Sequence, residues 1–383
     1  MGKRIFAALL ALAVLLPAAA VSVRAAPEIS APSAILVEAS TGQVLFESNS
    51  RERLAPASVT KIMTLLLVME ALQSDVISMN DTVTASASAC AKGGSQVYLE
   101  EGEQMTMDEM LKSVVVSSAN DCACAMAEHI AGSESAFVEL MNSRAKELGM
   151  NDTHFVNCTG LDDDPASKDH KTSAYDIALM SRELLTKHPD IKKYTTIWMD
   201  TVRNGQFGLS NTNKLVRFYD GATGLKTGYT SAAGHCLSAS AVRDGMELIA
   251  VVLHCASSTD RFESAKALLN YGFANYGICR PAPETPLSPI PVTLGVQDTV
   301  TPTLVAESLL LEKGKLASVQ CETELAESIQ APVEQGQKLG TLTVKSGDEV
   351  VAELPIVAAQ AVERLSWGQM TRKLLGALCT VEL

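Results

Sequence analysis

A serine and a lysine lie three residues apart at the start of an apolar stretch, in the segment APASVTKIMT (residues 55–64). Residues with this spacing share one face of a helix, so the amine of Lys61 can reach the hydroxyl of Ser58. A serine becomes an effective nucleophile only when a neighbouring base accepts its proton. The pair therefore suggests nucleophilic catalysis, but S-x-x-K is a short pattern, and Ser143 and Lys146 form a second copy.

Two other short motifs follow, S-x-N at residues 118–120 and K-[ST]-G at residues 226–228. Each also has a second copy, at residues 78–80 and 345–347. The context distinguishes the copies. The first S-x-N lies at a junction of two predicted helices, and the first K-[ST]-G lies on an apolar strand. The second copies fall in a polar connection and at a predicted hairpin turn. The S-x-x-K copies differ similarly, since only the first begins a buried helix and the other lies in a predicted surface helix.

Two groups of predicted strands flank a long helical region. The first is a hairpin over residues 34–47 (AILVEASTGQVLFE), and the second begins near Thr223 and includes HCLSASAV and MELIAVVLHC. Between them, an apolar helix is expected over residues 57–73 and a mostly helical stretch over 105–187, and one more helix follows over 259–276. The simplest arrangement is one antiparallel sheet covered by terminal helices, with the middle helices as a separate lobe. We therefore predict an α/β (α+β) domain with its site in the cleft between sheet and lobe.

A proline-rich linker, CRPAPETPLSPIP, separates this domain from a Val- and Thr-rich segment over residues 292–358. Its turn patterns predict a small all-β domain, in which nothing suggests chemistry. The predicted domain boundaries are residues 1–25 for a signal peptide, 27–283 for the catalytic domain, 284–361 for the small β domain and 362–383 for a separate tail.

The tail is amphipathic, because its apolar residues recur at spacings of three and four. This pattern favours a helix that lies in a membrane interface, since the segment is too short and too polar to span a bilayer. The alternative is a helix that packs on the β domain. The apolar stripe consists of Trp367, Met370, Leu374, Leu378 and Val381.

The N-terminus predicts export. Lys3 and Arg4 precede an apolar run over residues 5–23, and small residues follow it, which is typical of a signal peptide cleaved after Ala25 or Ala26. The alternative is an uncleaved membrane anchor, because the run is almost long enough to span a bilayer.

The composition argues against several other classes of protein. The 383 residues carry a formal net charge of -13 and no basic stripe, which argues against a nucleic-acid partner. The six histidines form no H-E-x-x-H or similar cluster, so we expect no catalytic metal and no cofactor. The nine cysteines show no C-x-x-C spacing, and we interpret most of them as small apolar residues rather than as a disulfide framework.

The ordered set S-x-x-K, S-x-N and K-T-G is typical of penicillin-binding proteins and class A β-lactamases. The exported chain resembles the low-molecular-mass penicillin-binding proteins of the D-alanyl-D-alanine carboxypeptidase type. The resemblance implies a β-lactamase/transpeptidase-like fold, and the β domain and amphipathic tail also fit that family. The matching segments are APASVTKIMT, SSANDCACAMAEHIAGS, HKTSAYDIA and GATGLKTGYTSAAGHCLSASA.

A class A β-lactamase is the nearest rival, and it needs a glutamate to activate the deacylating water. Between Glu147 and Glu183 the chain has aspartates but no glutamate, and Lys187 rather than an asparagine follows four residues after Glu183. A degenerate wall-binding protein is the non-enzymatic rival, but it would require a broken motif, and all three are intact. A peptidase whose β-lactam adduct turns over slowly is therefore the preferred interpretation.

The resemblance implies a catalytic role for three residues. Ser58 would attack the carbonyl between the two terminal D-alanines of a peptidoglycan stem peptide, and Lys61 would act as its base. Ser118 would relay a proton toward the leaving amine. Lys61 can act as a base only if burial, or a second cation such as Lys226, lowers its pKa.

The resemblance also implies a set of substrate-binding residues. Asn120 would hold the amide backbone of the substrate, although it or Ser118 could simply cap a helix. Lys226, Thr227 and Gly228 form the strand motif, of which the first two suit the terminal carboxylate. The backbone N–H groups of Ser58 and Tyr229 would form the oxyanion hole.

The expected partners follow from these roles. They are a stem peptide ending in D-Ala-D-Ala, β-lactam antibiotics as covalent inhibitors, and a membrane surface that binds the tail. The expected location is the outer face of the bacterial cytoplasmic membrane or the cell wall.

Overall fold

The computed structural model describes residues 26–305 and 308–379. The predicted signal peptide, residues 1–25, lies outside the described residues. The described chain begins with the predicted hairpin, which consists of strands β1 (Ser33–Glu38) and β2 (Val44–Ser48). Its turn is held by the Glu38 carboxylate, which accepts hydrogen bonds from the backbone N–H groups of Ser40 and Thr41 at 3.0 and 2.7 Å.

The segment predicted as one helix over residues 57–73 is divided into two parts. A 3-10 turn covers Ala57–Thr60, and helix α1 covers Lys61–Gln73. Ala57 has a φ of 49°, in the left-handed region that costs a residue with a Cβ roughly 1–2 kcal/mol. The chain therefore enters α1 through a strained turn, and Ser58 lies in that turn rather than in a regular helix.

The middle of the chain forms the predicted helical lobe together with two short antiparallel strand pairs. Helix α3 begins with a capping box, in which the Thr106 side chain and Glu109 satisfy each other's backbone N–H groups. The elements are β3 (Thr82–Thr84), α2 (Ala87–Cys90), β4 (Gln104–Thr106), α3 (Met107–Ser117), α4 (Asn120–Ala131), α5 (Glu134–Glu147), α6 (Ala174–Lys187), α7 (Lys192–Thr195), β5 (Met199–Val202), β6 (Phe207–Ser210) and α8 (Leu215–Phe218), with further 3-10 turns at Pro165–Asp169 and Pro189–Ile191.

Three long strands then complete the sheet begun by the hairpin: β7 (Ala222–Thr230), β8 (Gly234–Arg243) and β9 (Met246–Cys255). The strand order is β2-β1-β9-β8-β7, and every pairing is antiparallel. The prediction of one antiparallel sheet built from both strand groups is confirmed. Strand β7 is an edge strand, so its outer side is free to form the rim of a cleft.

Apolar residues cover both faces of this sheet. The larger core joins one face to α1, α3, α4 and α6. The smaller core joins the other face to α9 (Ser258–Asn275), the helix expected near residues 259–276. Because α1 is buried on nearly all sides, it holds the turn at Ser58 firmly between the sheet and the lobe.

The predicted small β domain follows. Strand β10 (Tyr276–Cys279) pairs with β14 (Leu309–Glu312), which ties the two domains together. The other elements are β11 (Ile290–Thr293), β12 (Thr299–Val300), β13 (Pro302–Leu304), α10 (Lys313–Leu316), β15 (Val319–Leu325), β16 (Ile329–Gln330), β17 (Lys338–Ser346) and β18 (Glu349–Ala358). Their two further sheets, of orders β12-β11-β16 and β13-β18-β17-β15, enclose their own apolar clusters.

The tail forms helix α11 (Trp367–Cys379). Trp367 is 85% exposed, and Lys373 forms an ion pair with Asp298 of the β domain. Residues 380–383, and with them Val381 of the predicted stripe, lie outside the described residues. Among the described residues, no helix combines the length and apolarity needed to cross a bilayer.

Candidate active site

The first S-x-x-K pair is in direct contact. The Nζ atom of Lys61 donates a hydrogen bond to Ser58 Oγ at 2.9 Å. Lys61 is fully buried, whereas Ser58 is partly exposed. The hydroxyl therefore faces the cleft while the amine approaches it from the protein interior. This is the arrangement that nucleophilic catalysis by a serine–lysine pair requires.

Two further acceptors fix the position of the Lys61 amine. They are Asn120 Oδ1 at 2.5 Å and the backbone carbonyl of Thr159 at 2.9 Å. Burial lowers the pKa of Lys61 to about 7, while Asp121 opposes this shift. A lysine with this pKa is neutral for a large fraction of the time at physiological pH, so it can accept a proton from the serine.

The Thr159 carbonyl reaches Lys61 because its neighbour is a glycine. Gly160 has a φ of +80°, and a Cβ at this position would lie 1.9 Å from the Ala57 carbonyl oxygen. Only glycine therefore allows the segment around residue 160 to approach the turn that carries Ser58. Thr64 adds a second tie between α1 and this segment, since its hydroxyl donates to the Cys158 carbonyl at 2.6 Å.

The first S-x-N motif lies at the turn between α3 and α4. Ser118 is the C-cap of α3, with a φ of 64°. Asn120 is the first residue of α4, and its side chain accepts from Lys61 and donates through Nδ2 to the Gly93 carbonyl at 2.7 Å. Capping does not explain the motif, because the N-cap of α4 is Ala119, which makes no side-chain capping bond.

The K-T-G motif lies on edge strand β7. Lys226 is buried, and its Nζ donates to the Thr227 carbonyl at 2.9 Å. Burial, and then the charges of Lys61 and Arg261, hold the pKa of Lys226 well below its usual value. We expected that burial or a second cation such as Lys226 would lower the pKa of Lys61. Burial alone accounts for the lowering.

Gly228 brings β7 against the turn that carries the serine. A Cβ on this residue would lie 2.6 Å from the Pro56 carbonyl oxygen and 3.0 Å from the Ser58 nitrogen. The strand and the backbone N–H of Ser58 are therefore neighbours, as an oxyanion hole shared between them requires. The side chain of Tyr229, the next residue, is 59% exposed and stacks on His235.

The remaining strand residue, Thr227, points to another element. Its hydroxyl donates to the hydroxyl of Thr212 at 2.6 Å. Thr212 is tied by its backbone N–H to the carbonyl of Val116 in α3, so the strand motif and the helical lobe meet here.

The sequence reasoning missed Arg261, which lies behind β7. Its guanidinium donates to the backbone carbonyls of Gly228 at 3.1 Å and Cys236 at 3.3 Å. A usable sign was present in the sequence, because Arg261 shares the apolar stripe of α9 with Ala265 and Leu268 at helical spacing. A cation on an apolar stripe is rarely placed there by packing alone.

The second motif copies do not approach this site. Ser143 is exposed on α5, Ser78 is exposed in a connection, and Lys345 lies on β17 of the other domain, where it forms an ion pair with Glu322. The structure thus brings Ser58, Lys61 and Asn120 into contact and sets the second copies apart.

The comparisons with known proteins agree with this geometry. Residues 20–257 match the family model described as D-alanyl-D-alanine carboxypeptidase, and residues 286–364 match that of the penicillin-binding protein 5 C-terminal domain. The chain belongs to the D-alanyl-D-alanine carboxypeptidase family. It is a serine peptidase of the penicillin-binding type.

Similar proteins cover both domains. D-alanyl-D-alanine carboxypeptidase DacF of Bacillus subtilis is 42% identical over 359 residues, which span 90% of this chain and 89% of that protein. The structure of penicillin-binding protein 5 from Haemophilus influenzae matches with a TM-score of 0.77 at 30% identity, over 89% of this chain and 99% of that one. Ampicillin-bound penicillin-binding protein D2 of Listeria monocytogenes matches with a TM-score of 0.60 at 29% identity, over 65% of this chain and 100% of that one.

Proposed function

We propose that Ser58 is the nucleophile of this carboxypeptidase and that Lys61 is its general base. The observation that carries the assignment is the 2.9 Å contact between Lys61 Nζ and Ser58 Oγ, made by a lysine whose pKa burial lowers to about 7. The substrate is a peptidoglycan stem peptide that ends in D-Ala-D-Ala. Ser58 attacks the carbonyl between the two alanines, the terminal D-alanine leaves, and water then hydrolyses the acyl-enzyme.

The negative charge that develops on the attacked carbonyl is stabilised by backbone groups. The N–H groups of Ser58 and Tyr229 form the oxyanion hole, which the contact of Gly228 with the serine turn supports. Arg261 acts as a positioning residue, because its bond to the Gly228 carbonyl holds this strand in register with the turn. Preorganised donors of this type contribute about 10²–10³-fold each to the rate.

The remaining motif residues bind the substrate and move protons. Ser118 relays a proton toward the leaving amine, and Asn120 orients both Lys61 and the substrate backbone. Lys226 and Thr227 bind the terminal carboxylate. The low pKa of Lys226 supports this role, because an arriving carboxylate would restore the charge that burial disfavours.

β-Lactams acylate the same serine. No glutamate stands between Glu147 and Glu183 to activate a deacylating water, so this adduct turns over slowly. The test is the intact mass of the protein after incubation with benzylpenicillin, followed by peptide mapping of the adduct. One adduct on the peptide that contains Ser58 is expected, and an adduct on the Ser143 peptide would contradict the assignment.

We also propose that the enzyme is exported by its N-terminal segment and held by α11 on the outer face of the cytoplasmic membrane. The 85% exposure of Trp367 supports a role for this helix at a surface. The ion pair of Lys373 with Asp298 supports the alternative, a helix that packs on the β domain. Removal of the tail distinguishes the two, because only a membrane-binding helix would take vesicle binding with it.

A further inference from the structure

Two buried cysteines and a glutamate form a cluster behind the catalytic lysine. Cys124 Sγ, Cys158 Sγ and a Glu134 carboxylate oxygen all lie within 4.8 Å of one another. Cys158 Sγ is 3.2 Å from Glu134 Oε1, and Cys124 Sγ is 3.9 Å from Glu134 Oε2. Both cysteines are fully buried, on elements that are distant in the chain. The catalytic mechanism uses none of these three side chains.

A water-accessible cavity of about 440 Å³ is lined by Glu134, the carboxylate of this cluster. Its wall also includes Lys92, whose Nζ forms an ion pair with Glu134 at 2.5 Å. Asp163 and Asp164 also line the cavity, so its wall carries three carboxylates and one lysine. The acidic lining therefore attracts a cation, and the partly exposed carboxylate of Glu134 is available as its first ligand.

We propose that Cys124, Cys158 and Glu134 bind a divalent zinc-like cation. Zn²⁺ prefers sulfur, nitrogen and carboxylate ligands in a tetrahedral set, and two thiolates with one carboxylate provide three of the four positions. The two thiols lose their protons to solvent when the ion binds. Two thiolates and a carboxylate then face the doubly charged ion, and Lys92 neutralises the one remaining negative charge.

The site has a structural role, separate from the acyl-transfer chemistry. Cys124 lies one helical turn after Asn120, and Cys158 immediately precedes Thr159. Both Asn120 and Thr159 hold the amine of Lys61. A bound ion would therefore join the two elements that position the catalytic base.

The experiment uses the full chain, reduced with a phosphine, freed of metal with a chelator and then titrated with Zn²⁺ or Cd²⁺. Native mass spectrometry should show one ion bound per chain with the loss of two protons, and Cd²⁺ should produce the ultraviolet thiolate-to-cadmium charge-transfer band. Zn²⁺ should also raise the melting temperature, because it binds the folded state.

Matched variants test the ligand set. Cys124→Ala and Cys158→Ala should each abolish the charge-transfer band. Glu134→Gln, which changes a partly exposed residue, should weaken binding at least about tenfold. Cys122→Ala is the control, because Cys122 is equally buried on α4 but lies outside the cluster.

Two outcomes would overturn the proposal. One is a reduced wild-type chain that takes up no ion and keeps its melting temperature when Zn²⁺ is added. The other is a chain that retains a Cys124–Cys158 disulfide after phosphine treatment, recognised by a mass two hydrogens below that of the dithiol. If a cysteine variant fails to fold, the titrations of the wild type and of Glu134→Gln still show whether the cluster binds the ion.

Discussion

At the residue scale, the proposed active site depends on a lysine that the protein keeps away from water. Lys61 makes three hydrogen bonds, to the Ser58 hydroxyl, the Asn120 amide oxygen and the Thr159 carbonyl. These acceptors satisfy the donors of the ammonium group, while burial lowers its pKa to about 7. The balance keeps the lysine in place in both protonation states, which a group that accepts and returns a proton requires.

Ser58→Ala should abolish D-alanine release and covalent penicillin labelling, because it removes the hydroxyl to which Lys61 Nζ is hydrogen-bonded at 2.9 Å. Intact mass spectrometry and a D-alanine assay provide the measurement. Ser143→Ala, in the exposed second S-x-x-K copy, is the control and should change neither property. Equal labelling of the Ser58→Ala protein would refute the assignment.

Lys61→Ala should slow acylation by about 10²–10⁴-fold, the usual contribution of a general base. The loss should approach that of Ser58→Ala, because nucleophile and base act as a unit. The rate of benzylpenicillin labelling measures the effect. Normal labelling of the Lys61→Ala protein would mean that a different group accepts the proton.

The acylation rate should rise with pH and level off above about 7. The neutral amine is the active form, so below this pKa the rate should fall about tenfold per pH unit as Lys61 becomes protonated. The measurement is labelling rate against pH, with circular dichroism at each pH to show that the fold persists. A rate that stays constant through this range would contradict a titrating lysine base.

At the scale of elements, the site is the meeting point of a strained turn, a helix start and an edge strand. The turn Ala57–Thr60 carries Ser58, α4 begins with Asn120, and β7 carries the K-T-G motif. Glycines set the distances between these elements, because Gly160 and Gly228 lie where a Cβ would meet the backbone of the turn. The two residues are therefore part of the site although they carry no reacting group.

Gly228→Ala should lower the acylation rate by about 10²-fold, because a shift of about 1 Å in a catalytic group has an effect of this size. The added Cβ would meet the Pro56 carbonyl oxygen at 2.6 Å, so strand and turn must move apart. Labelling kinetics and thermal unfolding measure the two consequences. Because β7 is an edge strand, the fold should persist.

Gly208→Ala is the matched control for this change. Gly208 also lies on a strand, β6, but a Cβ there would meet nothing within 4 Å. Its acylation rate should stay near that of the wild type. A Gly228→Ala enzyme that is acylated as fast as the Gly208→Ala enzyme would show that the strand-to-turn distance is not limiting.

At the scale of the whole molecule, the catalytic domain, the β domain and the tail follow one another along the chain. The contact of β10 with β14 connects the first two, and α11 follows the last strand of the second. Every motif residue of the site precedes Thr230, so the tail can be removed without touching the reacting groups.

A chain that ends at Leu365 keeps Val362 in the core of the β domain and lacks only α11 and the residues beside it. It should lose binding to anionic vesicles and keep hydrolysis of a soluble D-Ala-D-Ala peptide. Each apolar side chain removed from water contributes about 1.5–3 kcal/mol at most, so a short stripe gives reversible attachment. Salt should weaken the binding only in part, because the apolar contribution does not depend on counterions. Co-sedimentation with vesicles measures it, and equal sedimentation of the truncated chain would make α11 a packing element.

Much of this organisation can be predicted from the sequence alone. Local patterns of neighbouring residues predict the order of the three motifs, the two strand groups and the helical lobe between them. The sequence also indicated which S-x-x-K copy to prefer, because an apolar helix follows Ser58 and a polar one surrounds Ser143.

Tertiary structure decided the properties that depend on residues distant in the chain. The low pKa of Lys61 comes from burial by the lobe and the sheet, the turn at Ala57 replaces regular helix where the Gly160 segment approaches, and Arg261 reaches β7 from behind. Cys124 and Cys158 likewise lie close together only because α4 packs against the segment before Thr159. Desolvation and close approach act through space, so sequence spacing alone does not report them.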